Sequence, residues 1–206
     1  MWDVPGKGGF VAVLCCVCRF SGPVQDRRRA TVTEDTEEQN LWKWQTESAR
    51  WRSELGVTRD YAPYTKRWAS SFKGLPKSVL GGPTKRVLDL IDCSVLEVCK
   101  RARKTMPQCA DELNETVIDV SQSHGRRPFS TSGVARTLTT SSRLFVLSQR
   151  RLLLPREHLM LQGFLESVEI PASVSDTAIR HMAGEGMALP CLATILMALL
   201  LTKEIQ

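Results

Sequence analysis

No disulfide framework runs through this sequence. Its seven cysteines are odd in number, Cys15, Cys16, Cys18, Cys93, Cys99, Cys109 and Cys191, and their spacing fits no known pattern of bridges. Three of them sit inside the apolar run Gly9–Phe20, where a free cysteine behaves as a small hydrophobe. There is also no paired C-x-x-C with histidine partners, and only three histidines in all, which argues against a zinc site. A reducing compartment, nucleus or cytosol, is expected. The chain has no apolar run of the ~20 residues that a membrane span needs. The longest, MALPCLATILMALLL (187–201), carries a proline and is expected to be a buried core helix. The run at 9–20 is short, has only Lys7 before it as a basic residue, and is followed by SGPVQDRRR rather than a small-residue cleavage site. No internal repeat or low-complexity tract interrupts the chain.

What the chain does have is 206 residues, 42% of them hydrophobic and 24% charged, the composition of one globular domain. Its net charge of +6 favours an anionic partner, nucleic acid first and a membrane surface second.

Residues 9–20 read as one buried element, strand or helix. TEDTEEQN (33–40) reads as an acidic, solvated loop. LWKWQTESARWRSELG (41–56) reads as a helix: Trp44, Trp51 and Leu55 share one face, Trp42 lies off it, and Gly56 is placed to end it. Packing is the expected role of these tryptophans. Residues 57–85 read as an irregular basic loop, 86–102 as a helical or mixed segment and ETVIDVSQS (115–123) as a strand. HGRRPFSTSGVARTLTTSSRLFVL (124–147) is basic and rich in hydroxyls, the composition of a phosphate-contacting loop. Arg126, Arg127, Arg136, Thr139 and Ser141 are its candidate nucleic-acid contacts. PREHLMLQGFL (155–165) reads as a short helix with Pro155 in its first turn, Glu157 near its N-terminus and Gly163 closing it. Ser175 is placed to cap a second helix, which Gly184 and Gly186 interrupt before the final apolar run.

Three blocks resemble the C-terminal part of the cytosine-5 DNA methyltransferases. Gln25, Arg27 and Arg29, after Gly22 and Pro23, are similar to that family's Q-x-R-x-R block. Arg151, Leu153, Pro155, Arg156 and Glu157, followed by Leu161–Phe164, are similar to its R-x-L-T-P-R-E and L-Q-G-F runs. GEGMALP (184–190) is similar to its G-N-S-V-x-V-P block, and ARTLTTSSRLF resembles the close of its target-recognition region. The sequence departs from the pattern at Leu154 for Thr, Leu165 for Pro, Glu185 for Asn and Gly186 for Ser. The F-x-G-x-G cofactor loop, the P-C-Q nucleophile loop and the E-N-V block are all absent. Cys191, in LPCLA, lies on an expected helix without the following Gln and is not expected to be the nucleophile.

The resemblance implies an α/β enzyme, α+β as a fragment: a target-recognition lobe plus the C-terminal helices of a Rossmann-like methyltransferase domain. It divides the chain into a catalytic-domain remnant (1–32), a target-recognition region (33–140) and returning C-terminal blocks (141–206). The implied activity is methyl transfer from S-adenosylmethionine to C5 of cytosine in DNA, with a missing N-terminal catalytic half as partner. Arg29 would reach the flipped cytosine, while Arg27 and Gln25 position it or nearby phosphates. Glu185, Gly186 and Met187 would face the cofactor, and Arg151, Arg156 and Glu157 would form a charged clamp between lobes. The isolated chain is expected to be inactive and to expose the apolar face of its last helix. Two other readings stay open: a basic DNA- or RNA-binding module without catalysis, and a small membrane-associated protein using residues 187–201.

Overall fold

A computed structural model of the chain describes residues 34–68, 75 and 83–203, with side chains from residue 43 onward. The Gly9–Phe20 run and the block holding Gln25, Arg27 and Arg29 lie outside the described residues. The fold is α+β: seven helices and a small antiparallel sheet among the described residues.

Helix α1 (Glu34–Leu55) begins inside the segment expected as an acidic loop. Glu34, Asp35, Glu37 and Glu38 suit a helix N-terminus, where the backbone dipole favours negative charge. The acidic residues therefore open the helix. Its C-terminal end is as expected, since Gly56 adopts φ +75°. The supposed loop that follows contains a further short helix, α2 (Pro63–Trp68). Pro63 occupies the first helical position, and the next two backbone N–H groups, of Tyr64 and Thr65, each donate to Asp92 Oδ1 at 3.1 Å. The capping carboxylate comes from a different helix, α3 (Lys85–Ala102), so local sequence carries little sign of α2.

Helix α3 is the spine. Val87, Leu90, Ile91, Val95 and Val98 recur at helical spacing and are all buried. They pack with Trp51 of α1 and Tyr64 of α2 against one face of the sheet. A 3₁₀ turn (Met106–Cys109) and α4 (Ala110–Asn114) lead into that sheet. Its strands are β1 (Val117–Asp119), β2 (Phe129–Ser130), β3 (Leu144–Val146) and β4 (Arg151–Leu152), in the order β2-β1-β3-β4. The register aligns Ile118 with Phe129 and Phe145, and Phe145 with Leu152, so these four share the face packed on α3. Val117 and Leu144 point the other way and meet Ala135, Leu138, Leu153 and Leu161. Residues on both sides of position 140 thus contribute to one sheet.

Helices α5 (Pro155–Leu161) and α6 (Asp176–Glu185) pack together through Leu159, Ile179 and Ala183. Ser175 Oγ accepts from the Ala178 N–H at 3.2 Å, the cap expected there. Gly163, at φ +90°, follows α5. The last helix, α7 (Leu189–Lys203), overturns its expectation as a core helix: its large side chains are exposed, from 38% at Leu192 to 61% at Leu200. The opposite expectation for an isolated chain, an apolar surface without cover, describes it. No single helix among the described residues is long and apolar enough to cross a membrane.

Candidate nucleic-acid interface

Three of the segments singled out by sequence meet at one junction. Gln162 Nε2 donates to the Ala183 carbonyl at 2.6 Å, and the Leu189 N–H donates to the Gln162 carbonyl at 2.7 Å. A Cβ on Gly163 would lie 2.7 Å from Pro190 Cδ, and its φ of +90° is already one that only glycine adopts freely. A Cβ on Gly184 would run into the Thr139 carbonyl and the Thr140 amide nitrogen. The L-Q-G-F run, the G-E-G-M-A-L-P block and the T-L-T-T segment therefore close on one another through two glycines and two buried hydrogen bonds.

Beside this junction, on the sheet face away from α3, lies an open groove of ≈ 500 Å³. Asp119, Gln122, Arg126, Ser130, Arg136 and Thr139 are among the residues that line it. Asp119 holds the walls in place. Its Oδ1 accepts from Ser121 N–H (3.0 Å), Ser121 Oγ (2.6 Å) and Arg143 N–H (3.1 Å), and its Oδ2 accepts from Ser142 Oγ (2.9 Å). Ser142 Oγ also accepts from the Thr139 N–H at 2.9 Å, which ties the Thr139–Ser142 turn to Asp119. Arg86 steadies the Val120–Gln122 segment by donating to the Val120 and Gln122 carbonyls at 2.7 and 2.9 Å.

The five candidate contacts separate under this geometry. Arg126 and Arg136 both line the groove; Arg126 Nη1 donates to Gln122 Oε1 at 2.8 Å, and Arg136 makes no ion pair among the described residues. Thr139 lines it as well, and exposed Ser141 lies at its lip, 3.3 Å from Thr139 Oγ1. Arg127 belongs elsewhere. At φ +44° its side chain turns back to pair with Glu54 of α1 and, at 3.4 Å, with Glu97 of α3, 5.8 Å from the Trp51 ring. Arg127 does not line the groove; its guanidinium is shared between two carboxylates and joins the turn to α1 and α3.

The charged clamp is local. Arg151 reaches Glu157 through two hydrogen bonds of 2.7 Å, and Glu157 also accepts from the Leu154 N–H at 2.6 Å, capping α5. Burial would raise the Glu157 carboxyl, but the Arg151 hydrogen bond and the Leu154 amide together hold it below its ordinary value. Arg156 donates to the carbonyls of Glu166 and Val168. The three residues join β4, α5 and the following loop; none reaches a second lobe among the described residues.

Glu185, Gly186 and Met187 form the corner between α6 and α7. All three are exposed, the Glu185 side chain at 63%, and none lines either described cavity. They do not by themselves enclose a group the size of S-adenosylmethionine. Cys191 sits in the first turn of α7, away from the groove-lining residues. No cluster of three or more metal-ligating side chains occurs among the described residues.

Sequence reasoning missed the polar cluster that braces the interface from behind. Asp89 accepts two hydrogen bonds from Arg52 at 2.7 and 3.0 Å and one from Ser48, and lies 2.9 Å from His124 Nε2. Burial opposes its ionisation, yet His124, Ser48 and Arg52 outweigh that and hold the carboxyl at about 2. His124 is fully buried and stacks on Trp44, with ring centroids 5.7 Å apart. It opens the turn that carries Arg126 into the groove. The one signal available was Asp89 and Asp92 standing within an otherwise apolar helical stripe. The chain matches no model of a known protein family, and no curated protein matches it.

Proposed function

We propose that this chain is the DNA-gripping C-terminal part of a cytosine-5 DNA methyltransferase, inactive alone and completed by a separate catalytic half. The observation that carries the reading is the junction: the three described segments bearing the resemblance meet through glycines that admit no side chain. Chance matches scattered along a chain have no reason to converge in this way. On this reading the small sheet and its groove are the target-recognition lobe, and α6 and α7 are the returning helices of a Rossmann-like domain. DNA phosphates lie along Arg126 and Arg136, with Thr139 and Ser141 donating hydroxyl hydrogen bonds. Such contacts set register on a duplex rather than reading its sequence.

Methyl transfer to C5 needs a thiolate that adds to C6 of a base flipped out of the stack, and donors for the charge that then builds on the ring. Gln25, Arg27 and Arg29 are assigned to that base by resemblance alone. The thiolate and the S-adenosylmethionine pocket are assigned to the catalytic half, because the corner Glu185–Met187 offers the cofactor at most an edge. No chemical step is assigned to this chain.

The test has two parts. Fluorescence anisotropy with a cytosine-containing duplex should show binding that weakens steeply with salt, and Arg136→Ala should reduce the slope of log K against log salt by about 1. Adding a polypeptide that carries the cofactor and thiol loops should then give transfer of labelled methyl to DNA. A chain that binds no duplex at low salt would sink the proposal. Binding without complementation would favour a non-catalytic nucleic-acid-binding module, for which the groove, complete within the described residues, is sufficient.

A further inference from the structure

Helix α7 is at odds with its surroundings. Over Leu189–Lys203 it has one charged residue, Lys203, at its very end. Its apolar residues are not confined to a stripe, and a helix apolar all round is normally buried. Its two hydroxyls turn inward: Thr194 Oγ1 donates to the Pro190 carbonyl at 2.8 Å and Thr202 Oγ1 to the Leu199 carbonyl at 3.0 Å. The helix thus satisfies its own polar side chains, as an element packed in a dry contact must. Yet Leu192, Ile195, Leu196, Leu199 and Leu200 are all exposed. Burial of each would contribute to stability in proportion to the apolar area removed from water.

We propose that residues 9–20 of the same chain, GFVAVLCCVCRF, dock on the exposed apolar surface of α7. This goes beyond the methyltransferase reading and does not rest on it. The two runs are the longest stretches of the sequence with almost no charge: nothing ionic lies between Lys7 and Arg19, or between Glu185 and Lys203. The tether permits the contact. Thirteen residues separate Phe20 from Glu34, the start of α1, and extended they span roughly 45 Å. That matches the width of a domain of this size, whose radius of gyration is about 17 Å. A tethered segment also has an effective concentration in the millimolar range, far above that of a second copy in dilute solution. A single segment covers one side of a helix that is apolar on every side, so a further partner can still seat on the rest.

The chain carries its own probes. Cys191 is the one described cysteine that is not buried, and Cys15, Cys16 and Cys18 lie in the proposed partner. The full chain, dilute and under native conditions, is treated with bismaleimides of short and long spacer, and the monomer band is mapped by peptide mass spectrometry. The expected product links Cys191 to Cys15, Cys16 or Cys18. Leu196→Asp, at an exposed site that leaves the core intact, should cut its yield several-fold, and so should the paired change Val13→Asp and Leu14→Asp. Cys191 linked to Cys191 of another copy would mean that a second molecule covers the helix instead, and would overturn the proposal. Cys191 modified but unlinked with both spacers would overturn it equally.

Discussion

The two ends of the described fold use similar side chains to opposite effect. In α3, Leu90, Ile91 and Val95 are sealed between α1, α2 and the sheet. In α7, leucines just as apolar stand in solvent. The contrast does not lie in hydrophobicity, since α7 is the more apolar of the two. It lies in polar punctuation. Along α3, Asp89, Asp92 and Glu97 each find a specific partner from another element: Arg52, the N–H groups of α2, and Trp51 with Arg127. Those bonds fix which neighbour packs where. Among the described residues no side-chain bond joins α7 to another element: Thr194 and Thr202 bond to their own helix, and outward goes the Leu189 backbone N–H, to the Gln162 carbonyl. Buried charge thus specifies docking in one half, and shape alone must do so in the other.

The largest effect that could break this contrast comes from removing a buried partner. Arg52→Ala deletes a side chain that is 3% exposed and leaves Asp89, 16% exposed, with His124 and Ser48 alone. Breaking a buried ion pair from one side costs about 3–5 kcal/mol. Urea unfolding followed by circular dichroism should show a loss of that size. A loss below ~1 kcal/mol would mean that the cluster does not set the packing of α1 on α3.

Gly184→Ala comes next. The new methyl meets the Thr139–Thr140 backbone, which cannot swing aside as a flexible side chain can. Overpacking of this kind costs about 1–3 kcal/mol. The change should also weaken DNA binding through displacement of the groove wall at Thr139, while Gly133→Ala, with open space around it but φ +65°, should act on stability through strain alone. Equal DNA affinity in the two variants would separate the groove from the junction.

How legible all this was depended on range. The helix over 41–56, its stop at Gly56, a strand within 115–123, the cap at Ser175 and the N-terminal place of Glu157 were readable because their causes are local: apolar spacing, a left-handed glycine, a capping hydroxyl, an acidic residue in a first helical turn. Helix α2 was not, because Asp92, which holds its N-terminus, lies 27 and 28 residues from the amides it accepts. The reach of α1 back to Glu34 was misread as loop because acidic residues suit both a solvated loop and a helix start. The ion pairs of Arg127 were hidden for a similar reason. A basic run next to glycine shows charge, whereas a turn to φ +44° toward Glu54 and Glu97 is decided by tertiary packing. Among the candidate contacts, Arg126, Arg136 and Thr139 share a groove that no spacing rule would have drawn, since its lining residues come from both before and after β2 in the chain.

The two regions should also titrate differently, which sharpens the comparison. Asp89 sits at about 2 when folded, below its value in the unfolded chain, so the unfolded state binds the proton more readily. Its contribution, about 2 kcal/mol, is complete above pH ~4 and disappears as pH falls toward 2. His158 of α5 is depressed by burial, with Arg180 also acting against its charge. For this residue too the unfolded state binds the proton more readily, so stability is complete above the ordinary histidine range and declines once pH drops below ~6.5. Hydrogen exchange across pH should therefore show the α5–α6 pair loosening in mildly acidic buffer, while α1 and α3 hold until strong acid. His158→Gln should flatten the first phase and leave the second. Simultaneous loosening of both regions near pH 6 would show that they unfold as one cooperative unit.

The smallest expected effect is the most direct check on the contrast. If α3 is core and α7 is not, then matched insults should differ greatly. Leu90→Ala removes a fully buried side chain and should cost about 2–5 kcal/mol. Leu199→Asp places a charge on a side chain that is already more than half exposed, and substitutions at such sites lie within about ±0.5 kcal/mol. Read through the exchange protection of the Leu90, Ile91 and Phe145 amides, the second variant should match the parent chain even where its α7 has lost a docked segment. A core that melted on Leu199→Asp would mean that α7 is buried in the working protein against described elements, which the exposure of its side chains from Leu192 to Leu201 opposes.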